Sequence, residues 1–174
     1  MPKKTIVMGS DDAALGLKNE LAKFLTAQGY TIEDVGIYDA DDATVYPRVA
    51  ERACQAIIDS GFTKKGILVC GTGIGMAMSA NKVAGIRAAQ THDTFSAERA
   101  ALSNDSHIIT MGARVIGSEL AKKIVMAWLP LKFKPGSSSP KVAAIMELEK
   151  SRSAQGKNKA LAKPRVKAGA PGRK

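Results

Sequence analysis

Residues 68–82 read LVCGTGIGMAMSANK, a stretch in which an apolar run ends at a cysteine and three glycines follow within five positions. The segment leading into the cysteine, KKGILVC, is typical of a buried strand. Residues 74–83, after the glycines, have the apolar spacing of a helix. The stretch therefore predicts a strand–loop–helix unit with Cys70 at the junction.

The alternation of strand and helix occurs five times along the chain. The predicted strands are KTIVMG, YTIEDVGI, KKGILVC, GIRAAQT and SHIITMG, and each is followed by a helix. The first helix ends at Gly29, the second opens at Pro47, and the other three cover 74–83, 94–102 and 116–129. Short links of this kind require right-handed parallel crossovers, so we expect a Rossmann-like three-layer α/β/α sandwich with a five-stranded parallel sheet. A final helix over 140–150 has no strand after it. Residues 1–150 are predicted to form one domain that includes this C-terminal arm.

The formal net charge of +10 is concentrated at the C-terminus. Residues 151–174 hold eight lysines or arginines and no acidic residue, which leaves the rest of the chain at +2. The segment has almost no large apolar side chains and cannot bury enough surface to offset the entropy of ordering, so we expect a basic, flexible tail. Weak attraction to phosphate or polyanions is the alternative reading. Nucleic acid is not an expected partner of the domain itself.

Composition also limits the cellular setting. No apolar stretch approaches the roughly 18 residues needed to span a membrane, and the N-terminal residues enter a strand with no signal-peptide pattern. The two cysteines, Cys54 and Cys70, are too few for a disulfide framework. These features predict a protein of the reducing cytoplasm with no membrane partner.

The predicted sheet gathers polar residues at one edge, because ligands of such folds bind at the carboxyl ends of the strands. Asp11 and Asp12 follow the first strand, and Tyr46 lies beyond the second. The loop from Cys70 to Gly75 follows the third strand. His92 and Arg114 come after the fourth and fifth strands respectively. We expect one cleft to hold these residues.

The glycine loop does not fit the common phosphate-binding motifs. The lysine of a Walker A loop is absent, and the GTGIG sequence follows the third strand rather than the first, unlike a dinucleotide-binding fingerprint. A phosphatase loop would carry an arginine shortly after its cysteine, and CGTGIGMAM has none. With these motifs excluded, the loop is interpreted as a thiol beside main-chain amides at a helix N-terminus, where the helix dipole favours negative charge.

A thiolate beside amide donors suits proton transfer next to a carbonyl group. A base removes a proton from carbon while the amides stabilise the enediolate oxygen, as in an aldose–ketose isomerisation. The alternative is that Cys70 is a small buried hydrophobic residue at the end of a core strand. Cys54 lies on the apolar face of its helix and is predicted to belong to the core.

Several segments together resemble the family of ribose-5-phosphate isomerase B and galactose-6-phosphate isomerase, over residues 3–149. The matching segments are GSDDAALGLKNEL, VYPRVA, ILVCGTGIGMAMSANKVAGIRAA, SAERAALSND and ITMGARVIGSELAK. The resemblance implies that Cys70 moves a proton between C1 and C2 through a cis-enediolate. It further implies that Thr72 and the amides of the loop hold the enediolate oxygens; the loop residues in question are Gly71, Gly73, Ile74 and Gly75.

The resemblance assigns further residues and partners. Asp11 matches a residue that binds substrate hydroxyls, and Tyr46 an aromatic residue that lines the sugar. Asn104 matches a substrate-binding asparagine, and Arg114 an arginine near the phosphate. The ligand is a small sugar phosphate, and neither a cofactor nor a metal is implied. The family forms homodimers, or tetramers, whose sites include residues from the partner's C-terminal arm.

Four positions depart from the ribose-5-phosphate isomerase B pattern. Asp12 replaces a histidine after the first strand, and Ser103 replaces the histidine assigned to opening the furanose ring. In the arm, Ser137 and Lys141 stand where two arginines would bind phosphate. A tetrose 4-phosphate cannot close a furanose ring, so its isomerase needs no ring-opening histidine.

The segment THDTFSAERAALSND also resembles the branch that converts D-erythrulose 4-phosphate to D-erythrose 4-phosphate in erythritol catabolism. We therefore expect this reaction. A ribose-5-phosphate/ribulose-5-phosphate isomerase of the pentose phosphate pathway and a noncatalytic sugar-phosphate-binding protein are the alternatives. His92 either handles a hydroxyl proton or phosphate, or is structural. His107 opens a core strand and is predicted to be structural.

Overall fold

A computed structural model describes residues 4–39 and 41–160 of the chain. It contains five strands and six α-helices in these residues, with a short 3-10 helix at Asp12–Ala14. The strands are β1 (Thr5–Ser10), β2 (Thr31–Asp34), β3 (Lys65–Cys70), β4 (Ala88–Gln90) and β5 (Ile108–Gly112). The helices are α1 (Leu15–Ala27), α2 (Tyr46–Asp59), α3 (Ile74–Ala80), α4 (Thr94–Leu102), α5 (Ser118–Trp128) and α6 (Ser139–Ala160).

The strands form one parallel sheet in the order β2-β1-β3-β5-β4. The chain moves from β1 outward to β2 on one side, and continues through β3 on the other. The strand order therefore reverses between β1 and β3, and a crevice outside their carboxyl ends is the expected ligand site of an open α/β sheet. The register pairs Ser10 with Val69 and Cys70 with Gly112, so these carboxyl ends lie level.

Both faces of the sheet are covered, as the sequence predicted. On one face α2 and α3 pack over Val7, Leu68 and Ile108, and on the other α1, α4 and α5 pack over Met8, Val69 and Met111. Neighbouring strand residues alternate between these two cores, because successive side chains of a strand point to opposite faces. The expected α/β sandwich with a five-stranded parallel sheet is confirmed. No helix within the described residues is long and apolar enough to cross a membrane.

Several elements differ in length from their predictions. Only Ala88–Gln90 of the predicted strand GIRAAQT pairs as β4, α3 ends at Ala80 rather than at residue 83, and α5 covers Ser118–Trp128 rather than 116–129. The regular strand β2 is limited to Thr31–Asp34, where the Asp34 carboxylate accepts the Gly36 N–H at 3.0 Å. The Val35 and Ile37 N–H groups still donate to the Met8 and Ser10 carbonyls, at 2.8 and 3.3 Å. The last helix, predicted over 140–150, begins at Ser139 and continues to Ala160. It thus includes the first ten residues of the predicted tail. The remaining residues of that tail, 161–174, lie outside the described residues.

An ion pair with a fully buried lysine holds the carboxyl end of β2. The Lys18 side chain on α1 is fully buried, and its ammonium group donates to Asp34 Oδ2 at 2.5 Å and to the Ile37 carbonyl at 2.7 Å. Gly36 lies against the main chain of Ser10, where any side chain would come within 2.6 Å of the Ser10 nitrogen. The ion pair therefore holds the β2 end against the residue that precedes Asp11.

Replacing Lys18 with methionine should destabilise the fold severely. Removing one partner of a fully buried pair typically costs about 3–5 kcal/mol, and the 22% exposure of Asp34 should lower this cost somewhat. Urea unfolding would measure the change. The matched control is Lys64→Met, because the Lys64–Glu33 pair is partly exposed, at 30% and 36%, and such pairs contribute less than about 1 kcal/mol. Equal losses in the two variants would contradict this account of Lys18.

Candidate active site

Cys70 is the last residue of β3 and lies at the reversal point of the strand order. Its thiol is almost fully buried, and its sulfur accepts the Gly73 N–H at 3.0 Å. Gly73 has φ +80°, and a side chain there would meet the main chain of Met111 at 2.9 Å, so only glycine fits. This turn aims a main-chain donor at the sulfur, where it stabilises negative charge.

The two cysteines have different surroundings. Cys54 on α2 is fully buried in the core, and burial raises the pKa of its thiol to about 12. Its sulfur lies 3.9 Å from the Ala80 carbonyl. Cys54 is therefore a neutral core residue at physiological pH, as the sequence predicted, whereas Cys70 lies at the end of the sheet beside the glycine loop.

Asp11 lies across the crevice from the thiol loop, directly after β1. Burial and the neighbouring carboxylate of Asp12 raise the pKa of Asp11, while main-chain donors and the Arg114 guanidinium oppose that shift. The buried Asp11 Oδ1 has no hydrogen-bond partner among the described residues. This oxygen is therefore a buried acceptor that the described residues leave unsatisfied. Asp11 and Asp12 open into a pocket of about 340 Å³ that Tyr46 also lines.

Tyr46 and Arg114 flank the glycine loop. A side chain on Gly75 would come within 2.7 Å of the Tyr46 ring, and one on Gly71 would lie 3.6 Å from the Arg114 side chain. The aromatic ring therefore packs directly on the second half of the loop, and the guanidinium lies over its first half. The structure thus brings together the loop, Asp11, Tyr46 and Arg114, which the sequence had placed at separate strand ends.

Further contacts fix the loop from the β4 side. Thr72 Oγ1 accepts the Ile74 N–H at 3.3 Å, and its carbonyl accepts the Gln90 side-chain amide at 2.7 Å. His92 Nε2 accepts the Gly112 N–H at 3.0 Å, so its ring proton resides on Nδ1. His92 thus extends the sheet pairing past the end of β4. Gln90 was missed in the sequence, because no motif signals a contact 18 residues away.

Ser103, Asn104 and Lys141 are not in this cleft. Ser103 and Asn104 follow α4 and precede β5, so they lie at the amino-terminal edge of the sheet. Ile108 and Gly112, at the two ends of β5, are about 13 Å apart at the rise of a parallel strand. Within one chain these residues and Cys70 therefore stand at opposite edges. The same edge holds α6, the helix that carries Lys141: its Glu149 accepts the Gly85 N–H.

His107 belongs to the amino-terminal edge and packs against the Phe62 ring. Its Nδ1 accepts the Arg87 main-chain N–H at 3.2 Å, and its Nε2 lies 3.2 Å from the Arg87 guanidinium. Burial and the Arg87 charge lower the pKa of His107 to about 4, against a smaller opposing effect of Asp105. These contacts agree with the structural role predicted for His107.

The site offers thiol, carboxylate, phenol and amide groups rather than a metal cage. Among the described residues, no group of three or more histidine, cysteine, aspartate or glutamate side chains could hold a metal ion. The geometry combines a sulfur supported by an amide with a carboxyl group of raised pKa across a crevice. Such an arrangement can take a proton from carbon and exchange one with a hydroxyl group.

Comparison with known proteins identifies the family. A family model described as Ribose/Galactose Isomerase matches residues 6–145. A D-erythrulose-4-phosphate isomerase of Pectobacterium atrosepticum is 50% identical over 141 residues, which cover 81% of this chain and 92% of that protein. D-erythrulose-4-phosphate isomerase 2 of Mycolicibacterium smegmatis is 45% identical over 136 residues, covering 77% and 89%.

Solved structures agree with this assignment. Ribose-5-phosphate isomerase B of Clostridium thermocellum superimposes with a TM-score of 0.81 at 36% identity, covering 85% of this chain and 99% of that one. The chain therefore belongs to the Ribose/Galactose Isomerase family. It is a sugar-phosphate isomerase of the aldose–ketose type, which confirms the resemblance and the reaction class inferred from the sequence.

The stability of the protein should fall as the pH is lowered from about 6.5 to about 4, the interval between the unfolded and folded pKa values of His107. In this interval the unfolded chain binds a proton that the folded chain excludes. The loss from this residue is at most about 3 kcal/mol. Urea unfolding at pH 7 and pH 4.5 measures it, with His107→Asn as the comparison. An identical pH dependence in the variant would show that His107 is not the cause.

Proposed function

We propose that this isomerase works through a cis-enediolate, with Cys70 as the base that moves a proton between C1 and C2 of the substrate. The Gly73 N–H donated to the Cys70 sulfur is the observation that carries this proposal. A thiolate formed there is stabilised by the amide, and it lies at the crevice where open α/β sheets bind ligands. The remaining amides of the loop and Thr72 are assigned to the enediolate oxygens.

The other groups of the cleft have complementary roles in this proposal. Asp11 lines the pocket and binds a substrate hydroxyl through its carboxyl group, and its raised pKa suits proton exchange with that hydroxyl. Tyr46 lines the sugar, and Arg114 neutralises charge on the phosphate side. Asp12 lines the same pocket as Asp11, and His92 contacts the end of β5 through the Gly112 N–H. Both are assigned to substrate binding.

The substrate is proposed to be D-erythrulose 4-phosphate, with D-erythrose 4-phosphate as the product. Two relatives, at 50% and 45% identity, carry that name. Ser103 supports this reading, because the chain has a serine where ring opening would use a histidine, and the tetrose 4-phosphate has no free hydroxyl for a five-membered ring. Ribose 5-phosphate is the second candidate, supported by the likeness to a ribose-5-phosphate isomerase B.

The working unit is proposed to be a homodimer with shared sites. Ser103, Asn104 and the arm with Lys141 lie at the edge opposite Cys70, so they can contribute to a site only on a second copy of the chain. Four large apolar side chains, each at least 42% exposed, could be buried by the partner subunit in such a dimer. They are Ile74 and Met78 on α3 and Ile145 and Leu148 on α6.

Cys70→Ala should retain the fold and lower kcat by at least about 100-fold, the usual effect of losing a positioned acid–base group. Steady-state kinetics would measure the loss. Cys54→Ala is the matched control and should keep kcat within a few-fold. Iodoacetamide should inactivate the wild type by modifying Cys70, with protection by substrate. Near-normal turnover by Cys70→Ala would exclude the assignment.

The wild type should turn over D-erythrulose 4-phosphate with a higher kcat/KM than ribose 5-phosphate. The pentose is mainly cyclic, and its scarce open-chain form reduces the apparent affinity in proportion. Ser103→His should improve the reaction of ribose 5-phosphate more than that of the tetrose. A coupled assay with both substrates provides the test. An equal or higher kcat/KM for ribose 5-phosphate in the wild type would favour the pentose isomerase.

A mixed dimer should reveal the shared site. Cys70→Ala and Asn104→Ala chains are each impaired alone, but a mixed dimer has one site with both changes and one with neither. Purified mixed dimers, separated by two different tags, should recover about half of the wild-type activity, as expected for a two-fold symmetric pair of sites. Mixed dimers no more active than their parents would show that Asn104 does not act across the interface.

A further inference from the structure

Arg87 is an arginine with an unusual number of partners at the amino-terminal edge of the sheet. It lies just before β4, and its side chain is only 14% exposed. The guanidinium Nε donates to the carbonyls of Asn104 at 3.2 Å and Asp105 at 2.9 Å, and Nη2 donates to the Asp105 carboxylate at 2.5 Å. A planar fork with five donors is suited to holding several acceptors in one fixed arrangement.

The turn that Arg87 holds is one that needs external support. Asp105 has φ +50°, a conformation that residues other than glycine adopt infrequently. Its carbonyl and carboxylate both face Arg87. The side chain of Asn104, immediately before it, is exposed. The guanidinium therefore keeps the main chain of this turn in the conformation that displays Asn104.

The same segment also holds the C-terminal arm. Arg87 Nη1 lies 3.2 Å from the Met146 sulfur on α6. Two residues earlier, the Gly85 N–H donates to both carboxylate oxygens of Glu149, at 2.9 and 3.0 Å. A groove of about 420 Å³ separates α6 from the loop before β4. Arg87 thus contacts both the Asn104 turn and the arm with Lys141.

We propose that Arg87 is a positioning residue that holds the Asn104 turn and the C-terminal arm in one fixed relation, so that both enter the active site of the partner subunit together. The inference rests on the shared site of the proposed function and adds to it a residue that does not touch substrate. Arg87 acts through Asn104 and α6. Its loss should weaken substrate binding on the partner while leaving the Cys70 loop of its own chain intact.

Steady-state kinetics of Arg87 variants give the first test. Arg87→Met should raise KM by about 10-fold or more, with a smaller effect on kcat, because it removes binding interactions rather than the base. Alkylation of Cys70 by iodoacetamide should stay within about 2-fold of the wild-type rate, since the loop is at the other edge. Arg99→Met, a change at an exposed arginine of α4, is the matched control and should leave KM unchanged.

Arg87→Lys separates charge from geometry. Lysine keeps the positive charge near Asp105 but cannot reproduce the fork on two carbonyls, so its KM should lie between those of the wild type and Arg87→Met. A wild-type KM in either variant would overturn the proposal. Failure of both variants to fold would overturn it as well, because a positioning role leaves the fold intact.

The decisive experiment measures KM in a mixed dimer of Arg87→Met, or of Arg87→Lys if the methionine variant does not fold, with Cys70→Ala. Its single complete site uses Cys70 from the Arg87 variant and the turn and arm from the other chain, so its KM should return to the wild-type value. If Arg87 acts within its own chain, the mixed dimer keeps the raised KM, and the proposal is wrong. The Cys70→Ala/Asn104→Ala dimer separates failure of the Arg87 proposal from failure of the shared-site proposal. If that dimer also recovers no activity above its parents, the shared site itself is refuted.

Discussion

The direction of the strands is the constraint on which the rest of the molecule depends. In a parallel sheet all carboxyl ends lie at one edge and all amino ends at the other, and no local change of the chain can exchange them. The pairing of Cys70 with Gly112 and of Ser10 with Val69 places the thiol loop and Asp11 side by side. The same pairing keeps the Asn104 turn at the opposite edge, about 13 Å away along β5.

At the carboxyl edge the main chain contributes as much chemistry as the side chains. The left-handed conformation of Gly73 aims an amide at the Cys70 sulfur, and the close contact of Gly75 with the Tyr46 ring leaves no room for a side chain. Burial is the main cause of the raised pKa of Asp11 at this edge. Cys54 carries the same thiol in the core under α2, so the two cysteines differ in their location in the fold and not in their side-chain chemistry.

The amino-terminal edge has a different physical character. There a mostly buried arginine, Arg87, donates to two carbonyls and a carboxylate and also contacts a methionine sulfur and an imidazole ring. Burial, and after it the positive charge of the guanidinium, lowers the pKa of His107 and favours its uncharged form. In the dimer that we propose, this edge would supply substrate contacts to the partner, and the carboxyl edge would supply the base.

The sequence by itself determined the five strand–helix units, the covered faces of the sheet and the position of Cys70 beside its glycine loop. These features follow from hydrophobic periodicity and glycine spacing, which are local properties of the chain. The strand order, the separation of Asn104 from Cys70, the Lys18–Asp34 pair and the contacts of Gln90 and Arg87 were decided only by the tertiary structure. Each of these features depends on which distant segments of the chain come into contact. Element lengths also escape the sequence pattern: regular β2 stops at Asp34, and α6 continues to Ala160. These lengths depend on side-chain contacts and on helix docking, which hydrophobic periodicity does not encode.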